Sequence, residues 1–168
     1  MIKLTLLIVI GVSISLSSVA QRISLGKQTS LTIPKGSIKL SKEQFKSDRA
    51  VNTRPISTNN IFRSGSVLFA LYDTKESVST DYLDKTKKWR DEMQGWNENN
   101  NDYSSNIIFI NKVSVLVIES VINGKGNIDF YVLNNVKNKA LNGLIVFELG
   151  EKTKAYGILK SLVGDLTF

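Results

Sequence analysis

The 168-residue sequence contains no cysteine and no histidine. With neither a thiolate nor an imidazole, cysteine hydrolases and Ser-His-Asp triads are excluded, and so are disulfides and ordinary zinc sites. Catalysis would have to rest on carboxylate, Lys, Tyr or Ser/Thr side chains. No motif among these stands out, and no cofactor is implied. What is present is 42% hydrophobic and 22% charged residues with a formal net charge of +7, enough apolar content for one globular domain with its own core.

The N-terminus reads as an address. Lys3 supplies a positive start, residues 4–16 are almost uninterrupted apolar and small residues, and Ser18, Val19 and Ala20 form a small-x-small cleavage site, the pattern of a secretory signal peptide over residues 1–20. The apolar run is shorter than the roughly 20 residues a spanning helix needs. The mature chain is therefore expected to begin at Gln21 and, with no cysteine at the junction for a lipid anchor, to be free in the periplasm or outside the cell.

Beyond a flexible leader at 21–28, residues 29–168 read as a single domain. Leu31 to Ile33 form a short strand, Pro34 to Gly36 a turn, and Ser37 to Leu40 a continuation of the strand. Ser41 with Gln44 makes a capping box ahead of Phe45, predicting a short helix. Arg49 to Asn60 lacks periodicity and reads as loop, and Ser66 to Tyr72 as strand. Tyr82, Leu83, Trp89, Met93 and Trp96 fall near helical spacing, with charged residues opposite and Gly95 as the stop. Strands follow at Ile107 to Ile110, Val113 to Ile122, Ile128 to Leu133 and Leu144 to Leu149, with turns over Asn123 to Asn127 and Asn134 to Gly143. A last helix runs from Lys154 to Leu166 and buries Ile158, Leu159, Leu162 and Val163.

The strand at Val113 to Ile122 fixes the architecture. Val113, Val115, Val117 and Val121 face one side and Leu116, Ile118 and Ile122 the other, so both sides of the sheet need cover. Short hairpins argue for antiparallel pairing. The expected fold is α+β, an antiparallel β-sheet flanked by helices on both faces as an α/β/α sandwich.

Three stretches add a resemblance: Leu31-Thr-Ile-Pro-Lys-Gly36, the hairpin from Val115 to Leu133, and the ending from Leu144 to Phe168. In these the chain resembles the PsbP-like superfamily, which includes the photosystem II extrinsic protein, Ran-binding Mog proteins and bacterial envelope proteins of the DcrB type. In that superfamily an apolar strand leads through an acidic link into a helix of the form Ile-Leu-x-Ser-Leu and then a short apolar strand, places filled here by Ile158 to Leu162 and Leu166 to Phe168. The resemblance implies the layered fold but no activity, because members bind unrelated partners and share no catalytic residues.

Glu119 and Asp129 are the candidate catalytic carboxylates. A five-residue turn would set Glu119 opposite Tyr131, making the acids diagonal neighbours at about 7–8 Å, a spacing suited to an inverting glycosidase. A two-residue Asn-Gly turn would put them on opposite faces. Solvation near a strand end is the plainer reading, as it is for Glu148, on the face of Leu144 and Val146. Asn97, Glu98, Asn99, Asn101 and Asp102 could ligate calcium but miss the EF-hand spacing, so a loop is expected and no metal.

Trp89, Met93 and Trp96 could line a ligand groove or mark a partner surface; at helical spacing Trp89 reads first as core, and exposure of Trp96 together with Tyr103 would favour a binding site. Lys85, Lys87, Lys88 and Arg90 read as a solvated helix face rather than an anionic-surface or nucleic-acid site. The expected function is that of an exported, non-enzymatic binding or adaptor domain whose partner is an envelope or secreted protein, an inhibitor or immunity protein being one form. Two alternatives are a carboxylate hydrolase of envelope polysaccharide and a small-ligand carrier with an apolar pocket beneath Trp89 or Trp96.

Overall fold

A computed structural model of the chain describes residues 20–49, 56–95 and 102–168. The signal-peptide reading at 1–20, apart from its last residue, lies outside the described residues. So do Trp96 and the candidate calcium loop apart from Asp102.

In chain order the elements are β1 (Gln21–Ser24), β2 (Ser30–Ile33), β3 (Ile38–Lys39), α1 (Lys42–Arg49), β4 (Asn60–Ser64), β5 (Val67–Leu71), α2 (Tyr82–Gly95), β6 (Ser104–Ile110), β7 (Val113–Ile122), β8 (Lys125–Asn134), β9 (Lys139–Glu148) and α3 (Lys152–Gly164). Seven strands form one sheet in the order β3-β4-β5-β9-β8-β7-β6, and β1 pairs with β2 as a separate hairpin. Every pairing is antiparallel.

The sheet is covered on both faces, as the two-sided apolar pattern of β7 requires. On one face Val115, Val117, Phe69, Phe130 and Ile145 pack with Ala155, Ile158, Leu159, Leu162 and Val163 of α3 and with Leu25, Leu31 and Ile33 of the β1–β2 hairpin. On the other face α1 and the chain before it seat Phe45 and Leu40 on Ile61, Leu68, Ala70, Leu144 and Val146. The remainder of that face, Leu116, Ile118, Leu133 and Ala140, lies under Leu83 of α2. The predicted capping box is formed: the Gln44 backbone N–H donates to Ser41 Oγ at 3.2 Å, and the Ser41 N–H donates to Gln44 Oε1 at 2.9 Å.

Four local expectations are corrected. The segment 21–28 is no leader: β1 pairs with β2, and Leu25 is fully buried. The Thr74 N–H donates to the Leu25 carbonyl at 3.0 Å, and Lys139 Nζ donates to the Lys27 carbonyl at 2.9 Å. Burying Leu25 supplies the driving force that polar neighbours conceal in the sequence. Secondly, β3 does not continue β2, since it pairs with β4 in the main sheet. Thirdly, the loop read as far as Asn60 ends before it: Asn60–Ser64, unassigned beyond Asn60, is a strand, because both Ile61 and Phe62 are buried in a sheet with two covered faces. Fourthly, β9 starts at Lys139 and runs straight through Asn142 and Gly143.

The turn between β7 and β8 has two residues, not five. Asn123 and Gly124 both have positive φ, 50° and 75°, the backbone of a type I′ turn and the reason Asn-Gly is favoured there. Ile122 therefore faces Lys125, Glu119 faces Ile128, and Ile118 faces Asp129.

Candidate functional site

That register separates the two candidate carboxylates. Residues 118 and 119 point to opposite faces, so Glu119 and Asp129 lie on opposite sides of the sheet. Each is engaged by the helix that covers its own side. Glu119 pairs with Lys152 and accepts a hydrogen bond from the Tyr156 hydroxyl, both on α3. Burial, then the hydrogen bond to Glu119 and its charge, pushes the Tyr156 phenol well above its ordinary range. Asp129 pairs with Arg90 of α2. A glycosidase pair must flank one bond, and these two cannot. Glu148 is paired across the strands with Lys125 at 3.1 Å.

Helix α2 is the unusual element. Beyond Tyr82 and Leu83 at its start, polar residues rather than Trp89 meet the sheet. Arg90 has only 16% of its side chain exposed against 32% for Asp129. Asp91 accepts hydrogen bonds from Tyr103 at 2.7 Å and Ser105, both at the β6 end of the sheet, and pairs with Lys87 at 2.6 Å. Burial alone would raise the Asp91 carboxyl, but the bonds from Lys87, Ser105 and Tyr103 and the Lys87 charge outweigh it and hold it below its ordinary value. Tyr103 moves the other way, pushed up to about 12 by burial first and then by its bond to Asp91.

Because the sheet-facing side is polar after Leu83, Trp89 and Met93 are turned outward. Trp89 is 49% and Met93 40% exposed, which corrects the expectation that they belong to the core. The spacing was helical, but apolar periodicity does not say which stripe faces inward when ions can anchor the other. A helix advances about 100° per residue. With Arg90 turned to β8 and Asp91 to the β6 side, Trp89 and Met93 share the stripe on the Arg90 side, away from the β6 edge.

The basic run on α2 is neutralised locally. Lys85 pairs with Asp81 at 2.8 Å, Lys87 with Asp91, Lys88 with Glu92 at 4.0 Å, and Arg90 with Asp129. Little free positive charge is left on this helix to attract an anionic surface.

Open clefts among the described residues include two. One of about 430 Å³ is lined by Ser57, Thr58, Tyr72, Asp73, Lys75 and Asn142. The other, about 210 Å³, includes Asp48, Arg63, Ser66, Lys125 and Glu148. Both linings mix polar with apolar groups, and neither includes Trp89. Among the described residues no group of three or more acidic side chains could hold a metal ion, and no helix is long and apolar enough to cross a membrane. Sequence reasoning missed Arg90 and Asp91 as the anchors of α2; the signal available was their position on the stripe of Leu83 and Lys87, one turn of helix apart.

No family model and no curated relative matches the chain. Solved structures similar to it include the Ran-binding protein Mog1p of Saccharomyces cerevisiae, 11% identical, covering 89% of this chain and 95% of that one with a TM-score of 0.46. A point mutant of Mog1 is 10% identical over 88% of this chain and 94% of its own, with a TM-score of 0.47. The cyanobacterial PsbP (CyanoP) of Synechocystis sp. is 12% identical over 92% of this chain and 94% of its own, also at 0.47. At identities of 10–12% these likenesses concern the fold alone.

Proposed function

We propose that this chain is an exported, non-enzymatic binding domain that holds a protein partner of the envelope or the surrounding medium against the outer stripe of α2, with Trp89 and Met93 as anchors. The observation that supports this most is the orientation of α2: two large apolar side chains four residues apart face solvent while Arg90 and Asp91 occupy the sheet side. Exposed apolar stripes rimmed by charge mark interaction surfaces, and Trp is enriched among the residues that dominate binding energy. Lys85 and Lys88 supply the polar rim. Export is supported by the n-region, apolar run and small-x-small site that end at Ala20.

The test is paired capture. The protein, expressed from its complete sequence, is cross-linked in the native envelope and the specifically held protein is identified. Binding is then measured again with Trp89→Ala. That variant is expected to bind at least about tenfold more weakly, a loss of ~1.4 kcal/mol or more, with unchanged thermal unfolding. Equal binding by Trp89→Ala, or no specific partner across repeated captures, refutes the reading.

A further inference from the structure

The two edges of the main sheet are built differently. At one end β3 has two residues, one of them Lys39. At the other end β6 has seven, Ser-Ser-Asn-Ile-Ile-Phe-Ile, with no charge and no proline, and no described strand pairs with its outer side. Phe109 on this strand is 74% exposed. Sheets that remain single guard their edges with short strands, lysine or proline, because an open row of backbone N–H and C=O groups templates further pairing. The β3 edge is guarded in this way and the β6 edge is not.

We infer that β6 pairs with β6 of a second copy of this chain, antiparallel about a two-fold axis at Ile107, so that two seven-stranded sheets join into one. The register favours this occupant. Centring the pair on Ile107 places Ser105 opposite the second copy's Phe109, and Asn106 opposite its Ile108. Beyond the strand it brings Asp102 to the same end of the pair as the second copy's Asn111–Lys112 turn, and symmetry repeats the approach. Asp102 and Lys112 are both exposed, and neither forms an ion pair among the described residues. The strand brings no like charges face to face, which would oppose pairing. The Phe109 ring gains the second copy's Ser105 as its direct neighbour and Ile107 as its diagonal one. This surface is separate from the Trp89 stripe, which points away from it, so the two readings stand or fall independently.

Sedimentation of the protein expressed from its complete sequence tests the inference, and the mass of two chains is expected. Asp102→Lys sets lysine against Lys112 at both ends and is expected to weaken association by about tenfold. Combining Asp102→Lys with Lys112→Asp reverses each pair and is expected to restore it. Both positions are exposed, so the fold is retained. Since the chain has no cysteine, Ile107→Cys gives a single thiol on the axis, which should close on its twin when oxidised. A single-chain mass at every concentration overturns the inference, as does failure of the reversed pair to restore association.

Discussion

The ring of Phe130 occupies the space where a Cβ on Gly143 would stand: that atom would come 2.4 Å from Phe130 Cζ and 2.9 Å from the Ala70 carbonyl oxygen. The two residues face each other across β8 and β9. The relationship recurs in reverse four residues along, where Gly126 of β8 lies under Phe147 of β9 with a built Cβ again at 2.4 Å. Each ring lies over the glycine opposite, on the face that α3 covers, and this close approach explains glycine in mid-strand.

Gly143→Ala is therefore expected to destabilise the fold by about 1–3 kcal/mol through overpacking. Its Cβ meets backbone as well as ring, which leaves no direction for relief. Gly126→Ala meets only the ring of Phe147 and should cost less. Chemical denaturation of the two variants beside the parent checks the order, and a Gly143→Ala midpoint equal to the parent's would contradict it.

The Arg90–Asp129 pair is expected to anchor α2. Arg90→Ala leaves a half-buried carboxylate without its cation and should cost about 1.5–3 kcal/mol. Asp129→Ala should cost a similar amount. The double variant is expected to cost less than the sum, because neither residue then lacks its counter-charge. Additive losses in that cycle would mean that the ions do not hold the helix.

The Tyr103–Asp91 contact should be sensitive to pH at both extremes. Tyr103 is raised from 10.0 to about 12, so the folded state holds its proton more tightly than the unfolded state does. The stability it contributes is complete below pH 10 and is lost as pH rises through 12. Asp91 is lowered from 3.8, so its contribution is complete above that value and is lost as pH falls through the depressed one. Phenolate absorbance should show two late-titrating tyrosines, Tyr103 and Tyr156, of which the one near pH 12 returns toward pH 10 in Asp91→Asn. An unmoved titration there would refute the contact.

Much of the fold was legible because it is written in uninterrupted apolar runs. β7 has its predicted bounds, and the α3 residues from Ile158 to Val163 pack as their spacing requires. What was hidden shares one cause, cover from distant parts of the chain. Ile61 and Phe62 sit between Asn60 and Arg63, too short a run to signal a strand until both faces are covered. Asn142-Gly143 has the composition of a turn, and only Phe130, thirteen positions earlier, makes it strand. The site was less legible. Tyr103 reads from the sequence as a binding residue beside Trp96; its hydroxyl donates to Asp91 of α2, and Trp96 lies outside the described residues. The partners of Glu119 and Asp129 depended on whether the β7–β8 turn had two residues or five. Both lengths suit the residues, but Asn123-Gly124 takes the short one.

The way α2 is fastened has a consequence for how the protein changes over generations. Its hold on the body rests on Leu83, Tyr82 and a handful of ionic and hydroxyl contacts, so the residues on its outer stripe contribute little to folding. Substitution there is constrained by what the protein touches and scarcely by whether it folds. The fold should therefore tolerate replacement along the outer stripe far better than replacement of the β7 valines.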